Sequence, residues 1–164
     1  MITIREARAE DHPTLWALNA LPFKGATADA TVPLPLPPTP SPPAGFPDLA
    51  DVERSFTALG GAFLVAEVEG HLAGMGGIRL RPDGSAEVLR VRVHPATRRR
   101  GVGRALMTAL ETSAADRGAR EAILDTTTEQ PEAVAFYEAL GYEEIGRETR
   151  PEWTWTLIWF RKRL

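Results

Sequence analysis

The chain has 164 residues, 43% hydrophobic and 25% charged, which suits one domain with a single core. It contains no cysteine, which excludes disulfides, Cys-ligated zinc and thiol nucleophiles and fits a reducing, cytoplasmic setting. The net charge of −3 argues against a general affinity for nucleic acid, and no apolar run reaches the roughly 18 residues of a membrane span. The N-terminal stretch MITIREARAEDHP is charged and lacks the apolar core of a signal peptide. His12, His71 and His94 are scattered without zinc-ligand spacing, so no metal is expected.

Residues 2–7 alternate and predict a short strand. Asp11 is placed to cap a helix over about 12–21, with Leu15, Trp16, Leu18 and Leu21 on its apolar face. Eight of the fourteen prolines then fall between Pro33 and Pro47. Proline lacks an N–H and fixes φ, so residues 23–47 predict an extended, polyproline-like loop inside one domain spanning 1–164. Asp48 is placed to cap a second helix over 49–59 that Gly60-Gly61 ends. AFLVAEV, a turn at Glu69-Gly70 and HLAGMGGIRL predict a hairpin. After the Pro82-Asp83-Gly84 turn, AEVLRVRV predicts a strand stopped by Pro95. A long helix follows over about 101–117, then strand EAILDTT, then a helix opened by Pro131 and closed by Gly141. YEEIGRE and WTWTLIWFRKR predict two final strands. Trp153, Trp155 and Trp159 would then share one face, as core or interface residues or as a wall of a ligand pocket. The late strand–helix–strand crossover predicts a parallel pair within a mixed α/β sheet.

Six arginines and no acid lie between Arg90 and Arg104. Within this stretch, Arg98-Arg99-Arg100-Gly101-Val102-Gly103-Arg104 joins a strand to a helix. Glycines allow close backbone approach, and a helix start offers unpaired N–H groups and partial positive charge. That combination suits a pyrophosphate. Taken alone it also describes a tight turn with a solvated basic helix start. The Walker pattern is absent, and position 106 is Leu where a dinucleotide loop would need a third glycine.

Together, AEVLRVRVHPATRRRGVGRALM and ILDTTTEQPEAVAFYEALGY resemble the GNAT superfamily of acetyltransferases. Arg98, Gly101 and Gly103 match its cofactor loop, while Ala133, Tyr137, Glu138, Gly141 and Tyr142 match its later helix segment. The resemblance implies a largely antiparallel sheet of about seven strands with a splayed parallel pair, flanked by four helices. It implies acetyl-CoA as cosubstrate, with the pantetheine arm pairing with backbone at Val91, Arg92 and Val93. The pyrophosphate would meet the amides from Arg99 to Arg104, and Gln130, where many members carry Asn, would contact the cofactor.

The same resemblance assigns Tyr137 as the acid that protonates the departing thiolate. Glu87 matches the general base of the histone-acetylating branch, although a surface strand residue is an equally simple reading. The implied reaction is acetyl transfer to a primary amine by direct attack in a ternary complex. A non-catalytic acyl-CoA sensor of the same fold is the alternative. Small amines, amino acids, antibiotics, peptide N-termini and lysines all remain compatible acceptors. The loop at 23–47 would lid the acceptor cleft, and pairing through the last strands would give a homodimer.

Overall fold

A computed structural model describes residues 1–22 and 31–164 of the chain. Part of the loop predicted at 23–47, namely 23–30, therefore lies outside the described residues. Seven strands form one sheet: β1 Ile2–Glu6, β2 Ala62–Val68, β3 His71–Leu80, β4 Ser85–Val93, β5 Glu121–Thr127, β6 Glu143–Glu148 and β7 Leu157–Arg163. Their order across the sheet is β1-β2-β3-β4-β5-β7-β6, and only β4 and β5 run parallel. The helices are α1 His12–Ala20, α2 Val52–Ser55, α3 Val102–Asp116 and α4 Pro131–Ala139.

The β2–β3 hairpin turns at Glu69 (φ 54°) and Gly70 (φ 78°), the paired positive φ values that a tight, twist-matched hairpin requires. α3 has a helical apolar stripe, and Val102, Leu106, Met107, Leu110 and Ala114 are buried. Burial of each large side chain in that stripe contributes about 1.5–3 kcal/mol. With Tyr137 and Tyr142, the middle of the stripe makes a core on one face of the sheet. Leu15, Leu18, Leu49, Val52 and Phe56 make a second core on the other face. The sheet is thus covered by α3 and α4 on one side and by α1 and the α2 region on the other.

Three local predictions change. Asp11 does not cap α1. Its buried carboxylate turns back to accept from the Arg8 amide (2.7 Å) and the Arg5 guanidinium (2.8 and 2.9 Å). The helix expected over 49–59 breaks into a 3-10 turn Pro47–Ala50, the four-residue α2 and a 3-10 turn Thr57–Leu59. Asp51, not Asp48, caps α2 by accepting from the Arg54 amide at 3.2 Å. The last strand starts at Leu157, so Trp153 and Trp155 precede it and stack on each other at 5.5 Å between centroids. Both are half-buried rather than core.

The described part of the proline-rich loop is tied down along its length. His94 is fully buried; its Nδ1 accepts from the Ala96 amide, so its Nε2–H donates to the Pro33 carbonyl at 2.8 Å. Leu34 packs beside Val102, and Leu36 and Phe46 pack on the α1–α2 core. The Thr39 amide donates to the Pro13 carbonyl at 3.0 Å.

Candidate active site

Parallel pairing between β4 and β5 covers only Ser85↔Glu121, Ala86↔Ala122 and Glu87↔Ile123. Beyond Glu87 the strands part, while β5 continues to pair with β7 as far as Thr127. A bulge accompanies the separation. Gly77 pairs with Leu89 and Met75 with Arg92, so Gly76 faces both Arg90 and Val91, and Arg90 takes φ 59°. A bulge bends and twists its strand, which carries β4 away from β5. A left-handed φ at a non-glycine residue costs energy that the surrounding fold must hold in place. The result is an opening with a free strand edge, the kind of edge that accepts an extended ligand by backbone pairing.

The Gly loop stands at one end of this opening. Gly101 takes φ 83° as the N-cap of α3, and the first helical bond runs from the Ala105 amide to the Gly101 carbonyl at 3.0 Å. Among the described residues, the amides of Arg99, Gly101, Val102, Gly103 and Arg104 have no acceptor. The Arg100 amide differs from expectation, since it donates to the Thr97 carbonyl at 3.3 Å. A Cβ added at Gly103 would lie 3.1 Å from the Phe136 ring and 3.5 Å from Val93, so glycine is what lets α3, α4 and β4 converge there. Free amides, a helix N-terminus and a dense arginine patch fit a pyrophosphate-bearing ligand.

The arginines divide by role. Arg98 pairs with Glu132 of α4 at 2.8 Å, and Arg100 with Glu69 at 3.6 Å. Arg99 and Arg104 are exposed with no ionic partner among the described residues. Arg92 turns its guanidinium away from the opening to the Asn19 and Leu21 carbonyls at the end of α1. Burial pushes its pKa down to about 10. Only the backbone of Arg92 is therefore placed to meet a ligand in the gap. Val91 packs its partly buried side chain on the α3 core, and Val93 packs on a smaller cluster of Ala66, Val68, Ala73 and Val102, which leaves their backbone in the same position. Gln130 is the N-cap residue of α4, and its side chain makes no capping bond.

Tyr137 is 9% exposed, with its ring against Phe136 (5.2 Å) and Tyr142 (5.9 Å), and it is near enough to Asp125, beyond the last β4–β5 pair, to feel that charge. Its hydroxyl has no hydrogen-bond partner among the described residues. Burial, and then the charge of Asp125, push its phenol well above the ordinary range, so it keeps its proton. Glu87, half-buried, is the last residue of the parallel pairing. It faces the α2 side, across from its β3 neighbour Arg79.

Sequence reasoning missed four residues on that side. Asp125 lies on β5 two residues past the last paired position, on the same face as Trp159 of β7. It reaches solvent, yet enough protein surrounds it that burial, and then Glu87, push its carboxyl up, while Arg90 opposes the shift. An acid interrupting the apolar strand EAILDTT was the available signal. Asp48 accepts from both Arg79 (3.2 Å) and Arg90 (3.1 Å). Arg90 also lies 4.7 Å over the Phe46 ring. The sequence marked Asp48 only as a helix cap and Arg90 only as the first of six arginines, and nothing marked Phe46; the two β4 residues of the bulge that aims Arg90, Arg90 and Val91, include no glycine to signal it.

A mixed sheet opened between its two parallel strands, beside a helix start with free amides, is an α/β domain shaped to suit an extended, phosphate-bearing ligand. The chain belongs to the GNAT acetyltransferases: the model of the Acetyltransferase (GNAT) family matches residues 32–142. Among curated proteins it is similar to human N-acetyltransferase 8, 33% identical over 106 residues covering 61% of this chain and 47% of that protein. It is also similar to the Escherichia coli protein Uncharacterized N-acetyltransferase YjgM, 30% identical over 60% of this chain and 61% of that one. The chain spans about half the length of the mammalian relatives it matches. The fold matches a GNAT-family acetyltransferase from Staphylococcus aureus Mu50 with TM-score 0.79 at 18% identity, covering 99% of both chains. It also matches yncA from Salmonella typhimurium, solved with its cofactor acetyl-CoA, with TM-score 0.72 at 19% identity over 99% of this chain and 93% of that one.

Proposed function

We propose that the protein transfers the acetyl group of acetyl-CoA to a primary amine by direct attack in a ternary complex. The observation that carries this reading is the end of β4–β5 pairing at Glu87, with the unpartnered Tyr137 hydroxyl beside the gap. Acetyl-CoA supplies an activated thioester. The free amides of the Gly loop would hold its pyrophosphate, and the unpaired edge of β4 from Val91 to Val93 would hold its pantetheine arm. A backbone N–H near Val91 would polarise the thioester carbonyl as an oxyanion donor.

In the transfer, the amine nitrogen bonds to the carbonyl carbon and the carbon–sulfur bond breaks. Glu87, directly or through water, takes the proton the nitrogen loses, and Asp125 on the same face is a second carboxylate able to receive it. Tyr137 gives its proton to the sulfur. Its raised pKa keeps the phenol protonated at any working pH, as a donor requires. The absence of cysteine leaves no thiol for an acyl-enzyme, which favours direct attack and suits a reducing compartment, the cytoplasm.

The test couples calorimetric titration with acetyl-CoA to thiol release over a panel of amines. Saturable binding with amine-dependent thiol release supports the reading. Binding without release from any amine would make the chain a sensor of acyl-CoA. Absence of binding by the folded protein would remove the basis of both.

A further inference from the structure

The acceptor side of the gap is electrically divided. Its floor holds Glu87 and Asp125, neither of which has an ion-pair partner among the described residues. Its wall holds Asp48, whose carboxylate is shared by two guanidiniums, Arg79 and Arg90, leaving that triad net positive. Arg161, the next cation along this face, already lies 3.8 Å from Glu121. A floor of two negative charges beside a wall of one positive charge matches a ligand that is itself dipolar.

Two further features point to a ligand rather than to charge balance within the fold. Arg90 reaches the wall only because the bulge holds it at φ 59°. Its Nε donates to Asp48 at 3.2 Å and its Nη2 lies 3.1 Å from the same carboxylate, while Nη1 makes no bond among the described residues. The end-on pair of this half-buried guanidinium, one N–H of Nη1 and the second N–H of Nη2, is thus open, in the forked geometry that carboxylates fit. Arg90 is also close enough to Asp125 to oppose the upward shift of that carboxyl, so wall and floor face one another. The Tyr137 hydroxyl, on a side chain more than nine-tenths buried, is unpartnered among the described residues and near enough to Asp125 to feel its charge, which puts the reacting end of the ligand at the floor. Trp159, paired with Asp125, and Leu89, two residues past Glu87 on β4, lie on this face and give a side chain an apolar surface to lie on.

We propose that the acceptor is an amino acid with a free carboxylate, its amine over Glu87 and Asp125 and its carboxylate against the open Nη1 edge of Arg90. This rests on the acetyl-transfer reading and narrows it to one class of amine. Amines without an anionic group would leave those Arg90 donors without a partner in a site that a bound acceptor shields from water.

The experiment measures thiol release at saturating acetyl-CoA with matched pairs of acceptors. Amino acids with small, aliphatic, aromatic and basic side chains are each compared with the amine that lacks the carboxylate. We expect kcat/KM to be about 10- to 100-fold higher for the best amino acid than for its decarboxylated partner, mostly through KM, as a charge-assisted contact would give. Arg90→Gln should bring that ratio to within about twofold, while the Kd for acetyl-CoA stays unchanged. Decarboxylated amines that react as well as or better than the amino acids would overturn the inference and leave acetyl transfer standing. A folded Arg90→Gln variant that keeps the full ratio would also overturn it. If that variant fails to fold, the comparison within the wild type still decides. Acetyl-CoA binding without thiol release from any member of either series would overturn the inference and the acetyl-transfer reading together.

Discussion

The two sides of the β4–β5 gap are built from different materials. On the α3 side, the proposed recognition would rest on backbone: free amides at the Gly loop, a free strand edge from Val91 to Val93, and Gly103 kept bare so that Phe136 and Val93 can close in. On the α2 side it would rest on charged side chains, Glu87, Asp125, Arg79, Arg90 and Asp48, delivered by a bulge and by an irregular segment. Backbone recognition suits a ligand that never varies, because it depends on conformation more than on residue identity. Side-chain recognition suits a ligand that differs between relatives, because single substitutions rewrite it.

The sharpest way to break this division is Tyr137→Phe. Loss of the hydroxyl proposed to protonate the sulfur should lower kcat by about 10²- to 10⁴-fold. The Kd for acetyl-CoA, measured by calorimetry, should stay within about twofold, since the backbone side is untouched. Next is Gly103→Val, whose side chain must displace the Phe136 ring. It should weaken acetyl-CoA binding at least about tenfold and cost about 1–3 kcal/mol in denaturant unfolding. Asp125→Asn should act on the pH profile. A carboxyl held above its usual range stays protonated to higher pH, so the acid-side fall of kcat/KM should move to lower pH in the variant. A profile that does not move would remove Asp125 from the proton path.

Smaller effects test the wall. Asp48→Asn leaves two guanidiniums without their shared carboxylate and should cost about 1–3 kcal/mol of stability with little change in acetyl-CoA affinity. Smallest is Glu69→Gln, which removes an exposed contact 3.6 Å from Arg100 and should alter stability by at most about 0.5 kcal/mol.

The same division explains what could be read from the residues. α3 and the β2–β3 hairpin were legible because helical spacing and the Glu69-Gly70 turn express local rules. The Gly loop and Tyr137 were legible through two motifs in the right order. The acceptor side was not. Asp48 and Asp51 are equally good caps by residue type, and only the tertiary pull of Arg79 and Arg90 on Asp48 decides between them. Trp153 and Trp155 alternate as a strand would, but two ring planes stacked in a loop show the same spacing. The Arg90 bulge is set by how β3 and β4 register, which no local pattern records. The proline-rich loop read as extended; its described part forms no strand and bends or turns at several points, and its anchorage by His94, Leu34 and Phe46 depends on distant partners. Deleting Thr31–Pro43 would therefore remove core contacts as well as any cover over the acceptor.

The most direct test of the central claim is amide hydrogen exchange with and without acetyl-CoA. The account predicts slowed exchange in peptides covering 88–93 and 99–104, where the free strand edge and free amides lie. Exchange in the α1–α2 region should be nearly unchanged. Saturated binding with protection confined to the α1–α2 region, and none at the Gly loop or β4, would contradict it.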